Sequence, residues 1–130
     1  MIVVDASVLS VALGDDGADG ASARASLKNR SLVAPELIDL EVASVLRRRV
    51  QGGLMTPTRA EVALTDLTEL PMRRAPHKPL LFRCWELRET VTPYDAAYIA
   101  LAEILGIALL TGDGRLSRAP GIRCAIEVVI

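Results

Sequence analysis

The chain is short of the side chains that most often do chemistry or bind soft metals. It holds one histidine, two cysteines and four aromatic residues, counting one Trp, one Phe and two Tyr. His77 lies between Pro76 and Pro79, which suits a loop or helix entry better than a general base. Cys84 and Cys124 are far apart and lack metal-type spacing, so both are expected to be reduced core cysteines. Neither sign of charge dominates. A net charge of -1 gives no global pull towards nucleic acid, so any such binding has to come from a local patch. No apolar run approaches the roughly 18 residues of a membrane span. Met1-Ile2-Val3-Val4-Asp5 has neither a basic n-region nor a small-residue cleavage site, so no signal peptide and a cytoplasmic location are expected. A Gly-x-x-x-x-Gly-Lys phosphate loop is missing, which counts against an ATPase. Repeats, linkers and low-complexity stretches are missing too, and residues 1–130 are expected to form one domain.

What is present is an alternation of short apolar runs and helix-compatible segments. Ile2-Val3-Val4 runs unbroken into Asp5, the pattern of a strand buried on both faces in the middle of a parallel sheet. Ser7 is expected to cap a helix through about Leu13, and Gly14 to Gly20 to form a flexible acidic loop. A helix over Ala21–Arg30 and a strand over Ser31–Pro35 follow. A helix over Glu36–Gln51 should stop at Gly52-Gly53. Thr56-Pro57 and Thr92-Pro93 are N-cap and first-turn signatures, opening helices to about Leu70 and Leu105. Between them come a possible strand, Met72–Ala75, and an apolar-rich helix, Pro79–Glu89. Ile107–Thr111 reads as a second fully apolar strand and Cys124–Val129 as a weaker one. Strands alternating with helices predict an α/β fold around a parallel sheet with right-handed crossovers.

Four carboxylates need a reason to be where they are. Asp5 ends the first strand, and ligand sites in open α/β sheets lie beyond the carboxyl ends of strands. Glu41 interrupts an apolar helical stripe formed with Leu37, Ile38 and Val45. Asp95 is the third position after the cap Thr92, where it can serve a capping box. Asp113 follows the strand ending at Thr111, inside Thr111-Gly112-Asp113-Gly114, where an ordinary turn aspartate would also fit. Gathered at one edge of the sheet, the four would repel one another and raise each other's pKa unless a hard cation were present. Oxygen-only ligands suit Mg²⁺ or Mn²⁺, and the natural chemistry of such a site is phosphoryl-ester cleavage.

These motifs carry a resemblance. Val3-Val4-Asp5-Ala6-Ser7-Val8, Glu41 in its helix, Thr92–Ala102 and Leu110-Thr111-Gly112-Asp113-Gly114-Arg115-Leu116 resemble the PIN-domain family, in particular the VapC-type ribonuclease toxins of prokaryotic toxin–antitoxin pairs. The resemblance implies a PIN-like three-layer sandwich: a central parallel five-stranded sheet flanked by helices. It also implies an Mg²⁺- or Mn²⁺-dependent endoribonuclease, a homodimer and a cognate antitoxin partner. The family's acidic quartet maps onto Asp5, Glu41, Asp95 and Asp113, and its supporting hydroxyls onto Ser7 and Thr111.

Substrate phosphates need cations. Arg48 is the first candidate, seven residues after Glu41 and so on nearly the same helical face, and Arg115 is a second. Asp15, Asp16 and Asp19 stand outside the motif and are expected to be solvated. The apolar residues between Glu36 and Leu70, Leu54 and Met55 among them, exceed what a small sheet can cover and point to self-association. Two rivals stand beside the nuclease. A phosphatase with an aspartyl nucleophile would want a second aspartate where this chain has Ser7. A non-catalytic RNA- or antitoxin-binding module would not need all four acids.

Overall fold

The computed structural model describes residues 1–129. In chain order its elements are β1 (Ile2–Val4), α1 (Ala6–Gly14), α2 (Ala18–Leu27), β2 (Leu32–Pro35), α3 (Ile38–Gln51) and α4 (Pro57–Glu69), then β3 (Met72–Ala75), α5 (Leu81–Glu86), α6 (Pro93–Leu105), β4 (Leu109–Thr111) and β5 (Ile126–Val128). The five strands form one parallel sheet in the order β3-β2-β1-β4-β5. β1 is therefore central, and Ile2, Val3 and Val4 are buried as its unbroken apolar run requires.

The chain steps outward from β1 to β2 to β3, then crosses back to β4 on the other side of β1. Right-handed crossovers place α1–α4 on one face and α5 and α6 on the other. The packing agrees: α1 lies against α2, α3 and α4, while α5 lies on α6, which covers β1, β2 and β4. Ala96 to Ala102 of α6 are all buried, and the four alanines among them let this helix lie close on the sheet. Connections leave β1 and β4 in opposite directions, so the carboxyl ends of these neighbours flank a topological switch point, where such sheets bind ligands.

Local chemistry explains most boundaries. Thr56 Oγ1 accepts from Arg59 N at 3.1 Å and Thr92 Oγ1 from Asp95 N at 3.2 Å, so both Thr-Pro signatures cap as expected. Gly106 ends α6 with φ +65°, a left-handed conformation that favours glycine.

Several boundaries differ from those expected, among them the starts of α3 at Ile38 and of β4 at Leu109. The cap of α1 is Asp5 rather than Ser7, because the helix begins immediately after β1 and Asp5 reaches the N–H of Val8. The expected acidic loop is mostly helix: α2 starts at Ala18, with Asp15 Oδ1 accepting from Gly17 N at 2.7 Å and Gly20 N at 3.1 Å. A Cβ on Gly20 would stand 1.8 Å from the Asp15 carbonyl oxygen, so the tight α1–α2 junction requires glycine there. Asp16 is not merely solvated either, since Arg59 forks onto both its oxygens at 3.0 Å. The expected helix over residues 79–89 divides into a 3₁₀ turn, Lys78–Leu80, and the short α5; the last strand shrinks to Ile126–Val128.

Candidate active site

Helices that follow parallel strands begin at the sheet's carboxyl edge, so α1, α3 and α6 point their amino ends to the same place. Asp5 caps α1, Glu41 lies in the first turn of α3, and Asp95 in the first turn of α6. The positive ends of three helices thus face three carboxylates, which offsets part of their mutual repulsion.

Asp5 is the most enclosed of them, only 8% exposed. Its Oδ1 accepts from Ser7 Oγ at 2.5 Å and Val8 N at 3.2 Å, and its Oδ2 from Thr111 Oγ1 at 2.5 Å. Each hydroxyl directs its proton at Asp5 and accepts from the β4 turn: Gly112 N donates to Ser7 Oγ at 2.9 Å, Asp113 N to Thr111 Oγ1 at 3.0 Å. Ser7 and Thr111, expected as supporting hydroxyls, therefore clamp the end of β1 to the end of β4. Burial nevertheless raises the Asp5 pKa, outweighing these donors, and the charge of Asp95 pushes the same way.

Glu41 and Asp95 are half-buried, and burial is again the largest cause of a raised pKa in both. The charges of Asp95 and Asp5 add to the rise at Glu41, and that of Asp113 adds to it at Asp95. Tyr98 donates its hydroxyl to Glu41 Oε1 at 2.6 Å and opposes the rise there. Only 2% exposed, Tyr98 has its own pKa raised by burial and by Glu41, which keeps its proton in place as a donor. The sequence reading assigned Tyr98 no role. The available signal was its position three residues after Asp95, on the same helical face.

Asp113 is held differently. Arg115 Nη2 approaches Oδ2 at 2.8 Å, Arg115 Nε approaches Oδ1 at 3.0 Å, and the Arg115 N–H bonds Oδ1 at 3.0 Å. The guanidinium lowers the Asp113 pKa, and Arg118 adds to the effect. Arg115, read from sequence as a phosphate contact, is thus engaged with a neighbouring acid, while its side chain stays 84% exposed.

Asp5, Glu41, Asp95 and Asp113 all line one cavity of about 270 Å³, whose wall also includes Tyr98 and Arg48. Arg48 donates to Ser44 Oγ at 3.1 Å. His77 lies elsewhere: its Nε2 accepts from Leu37 N at 3.0 Å, serving the start of α3. Among the described residues, no three His, Cys, Asp or Glu side chains stand close enough to hold one ion as they are. Three of the four carboxylates are drawn to donors of their own: Asp5 to two hydroxyls, Glu41 to Tyr98, Asp113 to Arg115. The donor set is all oxygen and, among the described residues, in three cases out of four without a cation of its own in bonding contact. That chemistry fits a hard divalent cation.

The PIN domain family model matches residues 2–122. Ribonuclease VapC1 of Mycobacterium tuberculosis is 44% identical over 128 residues, covering 98% of this chain and 96% of its own. The crystal structure of M. tuberculosis VapC20, described as a Sarcin-Ricin loop cleaving toxin, superposes with a TM-score of 0.73 at 20% identity, covering 95% of this chain and 97% of that one. VapBC2 from Rickettsia felis, solved bound to a DNA fragment from its promoter, gives a TM-score of 0.65 at 15% identity and covers 98% of each chain. The last two share the fold.

Proposed function

The chain belongs to the PIN-domain family, and from that premise we propose that it is a VapC-type endoribonuclease toxin, dependent on Mg²⁺ or Mn²⁺ and neutralised by a cognate antitoxin. The observation that carries the proposal is the set of four acids on one cavity at the sheet's switch point.

Asp5, Glu41, Asp95 and Asp113 would hold the ion. When bound, it supplies the positive charge that polarises water and the scissile phosphate. The chain's own residues do the rest. Ser7 and Thr111 fix the orientation of Asp5, and Tyr98 fixes that of Glu41. Arg48, on the cavity wall, is placed to meet a substrate phosphate.

Inhibition by the antitoxin would use an arginine or lysine entering the acidic cavity. The Arg115–Asp113 pair supports this, because a guanidinium already satisfies one of the four acids. Leu40, Leu54 and Val62 are exposed apolar residues on and beside α3 and α4, and they support a homodimer through that face. A cytoplasmic location is part of the same proposal; among the described residues no helix is long and apolar enough to cross a membrane.

The deciding experiment is sequencing of RNA ends after incubation with Mn²⁺, with Mg²⁺ and with chelator. Metal-dependent internal cuts that vanish in Asp95→Asn support the proposal. RNA binding without cleavage under any ion would leave the non-catalytic module in its place.

A further inference from the structure

A second hollow, of about 480 Å³, opens beside the acidic cavity and shares Asp95 and Asp113 with it. It is bounded by residues 88–92, which join α5 to α6, by Pro93 at the start of α6, and by the 3₁₀ turn Gly114–Arg118. Apart from the two shared acids, its charged lining is Arg88, Glu89 and Arg115. The two arginines are in opposite conditions. Arg115 is tied to Asp113, whereas Arg88 makes no ion pair among the described residues. Arg88 is nonetheless held in place: its guanidinium stacks 4.7 Å from the centre of the Trp85 ring, and its Nη1 donates to the Trp85 carbonyl at 3.0 Å. A fixed guanidinium with donors to spare and no carboxylate partner is matched to a phosphate oxygen.

The acid-lined cavity can take the scissile phosphate only with a cation; Arg48 stands on its wall, and on the side of the second hollow the cations that could meet a further phosphate are Arg88 and the engaged Arg115. We propose that the hollow seats the single RNA strand next to the cleavage point, and that Arg88 grips a backbone phosphate flanking the scissile one. This rests on the nuclease reading. Arg88 is then a substrate-positioning residue, and Trp85, whose ring carries its guanidinium, sets its direction.

Trp85 is the chain's single tryptophan and so reports on its own partner. An oligoribonucleotide of about ten nucleotides, the span of a typical single-strand site, is titrated into the Asp5→Asn chain and, separately, into the unmutated chain in chelator. Binding should change Trp85 emission as phosphate draws on Arg88. With labelled RNA followed by anisotropy, Arg88→Ala should weaken binding about tenfold and lower the slope of log affinity against log salt by about one. Arg88→Lys should restore the slope while recovering only part of the affinity, since it keeps the charge and loses the fork. In the otherwise unmutated enzyme, Arg88→Ala should raise KM for cleavage more than it lowers kcat. Unchanged affinity and slope in Arg88→Ala overturn the proposal. So does a variant that changes only the sedimentation of the protein, which would make the hollow a contact between copies. Arg88-dependent binding without cleavage under any metal would keep the hollow and remove the nuclease. Metal-dependent cleavage indifferent to Arg88 would do the reverse.

Discussion

Asp5 and Asp113 close neighbouring strands of one sheet, and the protein holds them by opposite means. Asp5 is enclosed, touched by two hydroxyls and an N–H, and its pKa is raised by burial. Asp113 stands at the rim, gripped by an exposed arginine, and its pKa is lowered. Neutral donors built into the fold orient a charge without cancelling it. A mobile cation cancels the charge and can be exchanged for another. The first acid is therefore a fixture of the architecture and the second a replaceable contact.

Breaking the fixture should have the largest effect. Asp5→Ala removes the α1 cap, worth about 1 kcal/mol, and strips the Ser7 and Thr111 hydroxyls of their shared acceptor at about 1–3 kcal/mol for a buried group. A loss on the order of 3 kcal/mol in urea unfolding is expected, with cleavage reduced at least about a hundredfold. Asp113→Ala should cost as much activity but far less stability, at most about 1 kcal/mol for the Arg115 N–H that it caps. Equal stability losses in the two variants would dissolve the distinction.

Tyr98→Phe extends the test to a neutral donor acting on Glu41. It should cost about 1 kcal/mol, the usual net value of such a bond. Because Tyr98 holds the Glu41 pKa down, its removal should also move the acid limb of the pH–rate profile upward. An unmoved limb would mean Glu41 does not titrate in the reaction.

Asp95→Asn sharpens the comparison through pH. The folded pKa of Asp95 lies above its ordinary value of 3.8, first through burial and then through the charge of Asp113. The native state therefore binds more protons than the unfolded chain between those two values, and this group's contribution to stability falls as pH rises through that window. The variant should melt higher than the parent at neutral pH, by a few degrees at most, and lose that advantage as pH falls towards about 4. Melting curves across that range decide it; a lower midpoint at neutral pH would contradict the raised pKa.

The smallest effect belongs to Arg115→Ala. Freed of its arginine, Asp113 should bind Mn²⁺ about threefold more tightly by calorimetry, the scale of one surface ion pair, with no change in melting temperature.

The sequence was most informative where the signal is local. The apolar run into Asp5, the Thr-Pro caps and the glycine after Leu105 each carry their instruction within a few residues, and the strands, the helix starts and the four acids could be placed from them. Other features depend on contacts that only the folded chain makes. The start of α2 at Ala18 has no side-chain cap of its own, and its Gly20 is explained by the approach of Asp15. Tyr98 gains its purpose from Glu41, 57 residues earlier. Ser7 looked like a cap because its type and position suit one; its hydroxyl is instead engaged by Asp5 and the β4 turn, and the capping falls to Asp5.

The hydrogen bond from Thr111 to Asp5 spans 106 positions of the chain. Its consequence lies in synthesis rather than in the finished molecule. β1, at the centre of the sheet, leaves the ribosome well before its partner β4. Contacts of such separation form late, after the intervening chain has been closed into a loop. Until residues 109–113 emerge, Asp5 lacks the Thr111 hydroxyl and the acidic cavity lacks Asp113. A nascent chain that has not yet reached residues 109–113 thus carries no assembled site.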